Sequence, residues 1–177
     1  MDDVLSFWFE EIPSSAWWSV DPEFDKQISQ RFGELLMQAA AGELHAWRAT
    51  FEGRLAEIII LDQFSRNVYR NTPKAFSQDN QALVLSQEAT AQGALEQLAE
   101  TERGFLIMPM MHSESLAIHK FALPLFEKYT SSNTHEFELK HMRIIEKFGR
   151  YPHRNDILNR KSTLEELEFL KTPGSRF

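Results

Sequence analysis

Apolar residues recur at helical spacing along most of the chain. After Asp21-Pro22, which supplies an N-cap followed by proline in the first turn, a single apolar stripe runs to a break expected at Gly42. The positions of this stripe are Phe24, Ile28, Phe32, Leu35, Leu36 and Ala39. No segment shows the sustained alternation of apolar and polar residues that is typical of strands. The pattern therefore predicts an all-α fold with short connections.

Three further segments of the N-terminal half have helical patterns. "VLSFWFEE" at residues 4–11 predicts a short first helix. A second helix begins around Arg54 and is apolar almost all round through Ile60. Because a helix that is apolar on every side is a buried one, we expect it at the centre of the domain. Residues 79–92 predict a further helix, with Gly93 as its break.

The C-terminal half shows fewer helical segments and clearer boundaries. A helix is predicted to begin near Ser113, and Pro124 within its pattern is expected to kink or end it. Thr134 is expected to cap a helix that ends near Gly149. A final helix is predicted over residues 163–171.

Length and composition indicate the number of domains and exclude some classes of partner. At 177 residues, of which 42% are hydrophobic, the chain fits a single helical domain over residues 1–177 with a substantial core. A net charge of −7 argues against a nucleic-acid partner, because phosphate binding relies on clustered Lys and Arg. The absence of cysteine removes disulfides, thiolate nucleophiles and cysteine-based zinc sites. The oligomeric state does not follow from these features.

The termini and apolar runs bear on location. No apolar run approaches the roughly 20 residues that cross a bilayer. The N-terminal segment "MDDVLSFWFEE" is acidic where a secretory signal would be basic. We therefore predict a cytoplasmic protein with no membrane partner.

Positive charge is concentrated in one stretch. Residues 141–161 carry six Lys and Arg against two acidic residues, a local balance of +4 that leaves −11 for the rest of the chain. Such an island needs a local reason, either an anionic ligand or an acidic neighbouring face.

The densest part of this stretch is "FGRYPHRN", residues 148–155. Asn155 or Asp156 is expected to cap a short following helix, whose first backbone amides would join Arg150 and Arg154 in an anion site. Alternatively, these side chains bond the carbonyl groups left free at the end of the preceding helix.

The same stretch repeats part of a segment 84 residues earlier. Phe64, Arg66, Arg70 and Asn71 recur as Phe148, Arg150, Arg154 and Asn155. Such a repeat indicates related units, although four identities also arise by chance. Related units would bring four arginines to a common cleft, where the guanidinium groups suit a carboxylate or phosphate.

Arg66 and Arg70 also have a purely structural interpretation, as an alternative to a ligand site. Asp62, Arg66 and Arg70 lie at i, i+4 and i+8 on one helical face. This spacing allows a self-contained ladder of ion pairs that needs no ligand.

Three histidines are candidates for acid/base chemistry, because imidazole titrates near neutral pH. They are His112, His141 and His153. In "MHSE", His112 lies beside Ser113 and Glu114, but adjacent residues at a helix end seldom bring a hydroxyl to an imidazole. Ser113 is therefore predicted as an N-cap rather than a nucleophile. His153 and His141 are the stronger candidates for a general base.

The sequence predicts no metal site and no cofactor. Glu138 and His141 have the i, i+3 spacing of di-iron bundles, but such sites need a second pair and two more carboxylates. Glycine-rich phosphate loops and dinucleotide fingerprints are absent.

Three segments in order resemble one bacterial family. "ILDQFSRNVYRNTPKAFSQD", "MPMMHSESL" and "KFGRYPHRNDILNRKSTLEELEFL" are similar to the family known as domain of unknown function 924, as are the "FWF" start and the "DPEFD" helix opening. The resemblance covers almost the whole chain. It implies a fold similar to tetratricopeptide-repeat proteins, with antiparallel helix pairs in a right-handed superhelix. It implies no established activity.

The polar pattern of that family falls on residues that charge and spacing single out independently. The matching positions are Asp62, Gln63, Arg66, Asn67, Tyr69, Arg70, His112, Ser113, Glu114, His141, Arg150, His153, Arg154 and Asn155. The chain departs from the pattern at Ser65, Asn71, Asn159 and His119. Because asparagine tolerates left-handed backbone, turns at Asn71 and Asn159 are still expected.

Three hypotheses follow. The first is a cleft that binds an anionic small molecule, or an acidic or C-terminal peptide, through Asp62, Arg66, Asn67, Arg70, Arg150, Arg154 and Asn155. The second is a hydrolase or lyase for a phosphorylated or carboxylated small molecule, with acid/base roles for His153, His141, His112 and Glu114. The third is a set of buried networks that only fix how the helices pack.

Overall fold

The structure is a computed structural model of the chain and describes residues 1–175. Within these residues every regular element is helical and no strand occurs, which confirms the predicted all-α class. The predicted domain, residues 1–177, includes Arg176 and Phe177, which lie outside the described residues.

The chain forms a series of α-helices joined by short helical turns. The α-helices are α1 (Asp2–Ser6), α2 (Pro22–Ala40), α3 (Phe51–Ile59), α4 (Ser65–Val68), α5 (Asp79–Ala91), α6 (Ala94–Gln97), α7 (Glu100–Met111), α8 (Leu116–Tyr129), α9 (Ser132–Phe148) and α10 (Leu164–Phe169). π-Helical turns span Phe7–Glu11 and Ile60–Phe64. Turns of 3-10 helix span Ser14–Trp18, His45–Ala49, Pro73–Phe76 and Pro152–Arg154.

Two predicted helix boundaries are confirmed by their local bonds. The Asp21 carboxylate accepts the backbone N–H of Glu23 at 2.9 Å, and Pro22 follows as the first helical residue of α2. Gly149 ends α9 with φ of 68°, in the left-handed region that glycine occupies without strain.

Other boundaries differ from the predictions. α7 was not expected, because "GFLIMPMM" is a continuous apolar run without helical period and contains Pro109, yet Pro109 lies inside the helix. α8 begins at Leu116 rather than near Ser113, and it continues through Pro124 to Tyr129. Pro124 therefore does not end α8, and the buried side chains of Ala122 and Phe126, two residues to either side, pack in the main core.

Two predicted caps are also displaced. The N-cap of α9 is Ser131, whose hydroxyl accepts the backbone N–H of Thr134 at 3.2 Å. No helix follows Asn155 or Asp156, because the chain turns there after the 3-10 turn Pro152–Arg154.

The helix that begins at Phe51 occupies the centre of the core, as predicted. From Leu55 to Leu61 its apolar side chains are completely buried. Together, α3, the π-helical turn and α4 contact α2, α5 and α7. The buried residues are Leu55, Ala56, Ile58, Ile59, Ile60 and Leu61. Gly53 is required at its start, since an added Cβ would lie 2.0 Å from the carbonyl oxygen of Trp47.

Consecutive helices pack on one another in the second half of the chain. α7 contacts both α5 and α8, and α8 contacts α9. A smaller apolar cluster, centred on Ile144, Ile145 and Tyr151, lies beside the main core. This arrangement places the end of α7 between α5 and the segment that follows α9. The right-handed superhelical path stays a prediction.

Within residues 1–175, no helix is both long and apolar enough to cross a membrane.

Candidate functional site

Asp62 lies in the π-helical turn between α3 and α4, a type of turn that often occurs at functional sites. Its carboxylate is 1% exposed. Asp62 Oδ1 lies 2.7 Å from Nδ1 of His112 and 2.9 Å from Nη1 of Arg66. Gln63 donates a further hydrogen bond to Oδ2 at 2.6 Å. The turn thus brings a buried carboxylate to the end of α7, where His112 follows the last helical residue.

The surroundings of Asp62 determine the protonation states of its carboxylate and of the His112 imidazole. Burial alone would raise the pKa of Asp62, but Arg66 and His112 outweigh it and hold that pKa well below its usual range. Burial, together with the nearby Arg66 charge, lowers the pKa of His112. An ionised Asp62 therefore faces a neutral His112 near pH 7, and Nδ1 of His112 carries the proton that the carboxylate accepts.

Asp79, the first residue of α5, joins two guanidinium groups. Arg66 donates to both oxygens of Asp79, at 3.0 and 3.1 Å. Arg154 reaches one of the same oxygens, Oδ2, at 3.3 Å. Two arginines from distant segments thus meet at one carboxylate, and with Asp62 the local formal charges balance.

Arg154 is the less satisfied of these two arginines. Its guanidinium carbon lies 4.7 Å from the ring centre of Phe76 and 4.6 Å from that of Tyr151. Its Nη2 donates to the backbone carbonyl of His112 at 3.1 Å, while its Nε is buried and has no hydrogen-bond partner among the described residues. Burial, followed by the Arg66 charge, lowers the pKa of Arg154 below its usual value.

A cavity of about 290 Å³ opens beside this network. It lies between the start of α5, the end of α7 and the segment after α9. Its lining residues are Pro73, Phe76, Ser77, Asp79, Asn80, Leu83, Pro109, His112, Ser113, Glu114, Arg154 and Leu158. We refer to this space as the Arg154 cavity. Of the predicted site residues, it includes His112, Glu114 and Arg154.

The four repeated arginines do not converge, so that structural expectation is wrong. Arg70 binds Asp25 at 2.5 and 2.7 Å, and Asn67 donates to the same carboxylate at 2.8 Å. Arg150 binds both oxygens of Glu166, at 2.7 and 2.8 Å. The reason is that each of these guanidinium groups has a carboxylate of its own on a neighbouring element.

The two similar segments, which lie 84 residues apart, also differ in backbone conformation. Asn71 adopts φ of 61°, whereas its counterpart Asn155 has φ of −59°. Asn155 instead donates to Ser162 at 3.0 Å and accepts from Arg160 at 3.0 Å. The left-handed turns expected at Asn71 and Asn159 are confirmed.

The basic stretch at residues 141–161 is met by acidic side chains from other segments. The pairs are Lys147 with Glu165, Arg150 with Glu166, Arg154 with Asp79, and Arg160 with Glu114. An acidic neighbouring face, one of the two expected reasons, therefore accounts for most of this island of charge.

The other acid/base candidates have different surroundings. The carboxylate of Glu114 accepts two bonds from Arg160, at 2.5 and 2.9 Å, and one from the backbone N–H of Tyr151 at 2.7 Å. The Nδ1 of His141 lies 2.7 Å from the carbonyl of Phe137, and burial lowers the pKa of His141 to about 3. Neither His141 nor His153 lines the Arg154 cavity, so the geometry favours His112 among the histidines.

Sequence reasoning missed several members of the network. Asp79 entered the sequence analysis only as the first residue of a predicted helix. Acidic side chains are favourable there because they face the positive end of the helix dipole. Phe76 and Arg160 carried no separate signal. A second buried pair was also missed: His119 Nδ1 lies 2.7 Å from a carboxylate oxygen of Glu138, and both side chains are fully buried.

Glu138 faces His119 rather than forming a metal pair with His141. In the part of the chain that the structure describes, no group of three or more His, Cys, Asp or Glu residues is arranged to hold a metal ion.

Comparison with known proteins agrees with the motifs. The family model described as "Bacterial protein of unknown function (DUF924)" matches residues 4–174, which confirms the resemblance. A solved structure of a protein of unknown function from Agrobacterium tumefaciens is 34% identical, with a TM-score of 0.91 over 96% of both chains. None of the curated proteins compared with the chain matches it significantly.

Proposed function

Because the chain belongs to the bacterial DUF924 family, whose function is unknown, we propose a function from its cavity: the protein binds a small anionic molecule through a carboxylate or phosphate at Arg154. Arg154 is the binding group, and Asp79 and His112 lie beside it on the cavity wall. Asp62 and Arg66 lie behind this wall and hold His112 and Asp79 in place.

The incomplete hydrogen bonding of Arg154 carries this proposal. A guanidinium group has five N–H donors, and the Arg154 side chain, 7% exposed, has one long bond to a carboxylate and one to a carbonyl. Buried charged donors without acceptors are costly. An oxyanion in the cavity would accept from the remaining N–H groups of Nη1 and Nη2, in the paired geometry that arginine favours.

The size of the cavity favours a small molecule over an acidic peptide. Ligand pockets typically measure about 300–1,000 Å³, and this one, at about 290 Å³, lies at the lower end. Phe76, Leu83 and Leu158 offer apolar walls to the uncharged part of a ligand, and Ser77 and Asn80 offer hydrogen-bonding groups.

The local charges suggest how an anion is accommodated. Asp79 is held by two bonds to Arg66 but by one long bond to Arg154. A ligand oxyanion can therefore replace Asp79 at Arg154 while Asp79 keeps its place on Arg66. Arg66 fixes the position of Asp79 and is not itself a cavity-lining residue.

Isothermal titration calorimetry with inorganic phosphate and with succinate tests the proposal. We expect Arg154→Gln to weaken binding at least about 10-fold, since a hydrogen bond to a charged group is worth about 1.5–3 kcal/mol. Arg143→Gln is the matched control, because it removes an exposed charge from the same basic stretch.

Equal affinities in the two variants, or no binding of either anion, would contradict the proposal. An acidic hexapeptide included in the same titrations distinguishes the partner class. Tighter binding of that peptide than of both small anions, with the same dependence on Arg154, would assign the cavity to peptides instead.

A further inference from the structure

Within residues 1–175, two histidines pair with a carboxylate through Nδ1, and they differ in what their Nε2 contacts. In the buried pair, Nδ1 of His119 lies against Glu138, while its Nε2 lies 2.9 Å from the carbonyl of Ser113. In the other pair, Nδ1 of His112 lies 2.7 Å from Asp62, and no hydrogen bond among the described residues engages its Nε2. The second histidine, His112, lines the Arg154 cavity.

The Asp62 carboxylate determines which ring nitrogen of His112 carries the proton. An ionised carboxylate only accepts hydrogen bonds, so Nδ1 is the protonated nitrogen and Nε2 retains its lone pair. Arg66, whose Nη1 lies 2.9 Å from Oδ1, keeps this carboxylate ionised. An oriented imidazole with a free lone pair is the arrangement of a general base.

The same histidine is tied directly to the anion site. Arg154 donates to the backbone carbonyl of His112 at 3.1 Å, and both residues line the Arg154 cavity. A molecule held by Arg154 through one charged end therefore places another part of itself close to His112. Positioning of this kind is a large part of enzymatic rate enhancement.

We propose that His112 is the general base of a hydrolytic site, oriented by Asp62, and that the substrate is a small carboxylic ester bearing its own carboxylate or phosphate. This inference rests on the proposed function, because Arg154 holds the charged end of the substrate.

The reaction needs only water as a second reactant. Nε2 of His112 removes a proton from a water molecule as the water oxygen forms a bond to the ester carbonyl carbon. The tetrahedral intermediate then collapses, the bond between that carbon and the ester oxygen breaks, and the proton on Nε2 passes to the leaving oxygen. The products are a carboxylic acid and an alcohol, and no group is oxidised or reduced.

Within this scheme His112 is the catalytic residue and Asp62 is a positioning residue. In Asp62→Asn the amide oxygen still accepts from Nδ1 of His112 and from Arg66, but the negative charge that stabilises the protonated imidazole is lost. His112 then becomes a weaker base and its pKa falls further.

The test uses mono-4-nitrophenyl succinate, an ester with a free carboxylate, and 4-nitrophenyl acetate, which lacks one. We expect the protein to hydrolyse the succinate ester faster than the acetate. We expect kcat for the succinate ester to fall at least about 100-fold in His112→Gln, the range of general-base catalysis. Succinate affinity should change by less than about threefold in this variant. His45→Gln, in an exposed turn, should match the unaltered protein.

A readout specific to orientation tests Asp62. In Asp62→Asn we expect kcat to fall while KM stays within about threefold, and the pH at which kcat reaches half its maximum to move. An unchanged pH profile with an equal loss at all pH values would assign Asp62 a structural part only.

A second measurement does not depend on folding of the variants. Diethyl pyrocarbonate, with peptide mapping, should modify His112 in the unaltered protein, and saturating succinate should slow that reaction but not the modification of His45. We expect hydrolysis to fall in proportion to modified His112.

The outcomes separate the two proposals. Absence of hydrolysis by a protein that binds succinate, or hydrolysis unaffected by modification of His112, overturns the hydrolytic site and leaves anion binding in place. Failure to bind succinate and phosphate overturns both.

Discussion

The four arginines of the two similar segments divide into an inner pair and an outer pair. Arg66 and Arg154, the inner pair, share the carboxylate of Asp79 beside a cavity. Arg70 and Arg150, the outer pair, each have their own bidentate carboxylate. The same residue type in similar sequence therefore has different surroundings. Arg154 has one long bond to a carboxylate, whereas Arg66, Arg70 and Arg150 each bind both oxygens of one carboxylate.

The largest difference that we expect between the pairs is in stability. Arg66→Met leaves Asp62, 1% exposed, and Asp79, 17% exposed, without their shared partner. Stranding one partner of a buried ion pair costs about 3–5 kcal/mol of unfolding free energy. Arg70→Met removes a guanidinium that is 29% exposed, and we expect a loss of about 1 kcal/mol.

Urea unfolding followed by circular dichroism measures both free energies. Similar losses in Arg66→Met and Arg70→Met would remove the distinction between the inner and outer pairs. Leu164, an exposed apolar residue, supplies a control in Leu164→Ala, for which we expect a change within about 0.5 kcal/mol.

His141, which belongs to neither pair, is expected to make the protein sensitive to acid. His141 has its pKa lowered from 6.5 to about 3, chiefly by burial. The unfolded chain therefore takes up a proton at this residue, between pH 6.5 and 3, that the folded chain does not. The contribution of neutral His141 to the free energy of unfolding is fully present above pH 6.5 and is lost as the pH falls from 6.5 to 3. We expect His141→Gln to flatten this fall, measured as the urea midpoint at pH 7, 5.5 and 4.5.

Leu164→Ala, which changes an exposed residue without a titratable group, is the control, and it should leave the slope between pH 7 and 4.5 unchanged. The prediction for His141 fails if its variant retains the full slope of the unaltered protein.

The outer pair predicts a smaller effect in a lower pH range. Hydrogen bonds from Arg150 lower the pKa of Glu166 from 4.5 to about 2. The folded-state pKa is depressed, so this contribution to stability is present above pH 4.5 and is lost as the pH falls toward 2. In Glu166→Gln we expect a shallower loss of stability between pH 4.5 and 2.5, with no change of slope above pH 5. A changed slope above pH 5 would assign the acid response of this region to another group.

Local features of the fold could be predicted from the sequence, because their causes lie within a few residues. Asp21 and Gly149 cap helices through the backbone next to them. The helix up to Ile60 is apolar on nearly every side in the sequence, so its burial was predictable without knowing its neighbours. The run that forms α7 lacked a period, since it is buried on nearly all sides, and a pattern of that kind predicts burial without identifying the element.

The arginine partners could not be predicted, for a physical reason. Asp25, Asp79 and Glu166 come from elements far from their arginines in sequence, and any of several carboxylates could have paired with each guanidinium. The spacing of Asp62 and Arg66 did predict their ion pair, because one helical turn joins them. His112 was named from its neighbours, whereas its value as a base depends on Asp62, 50 residues away.

The most direct test of the inner and outer pairs is nitrogen NMR of arginine side chains during titration with inorganic phosphate. Assignment uses Arg154→Gln, Arg150→Gln and Arg70→Gln. Anion binding in the cavity predicts that the Nε–H resonance of Arg154 shifts and saturates while those of Arg150 and Arg70 stay in place. Equal shifts at the three arginines, or a saturating shift at Arg150 or Arg70 with none at Arg154, would contradict it.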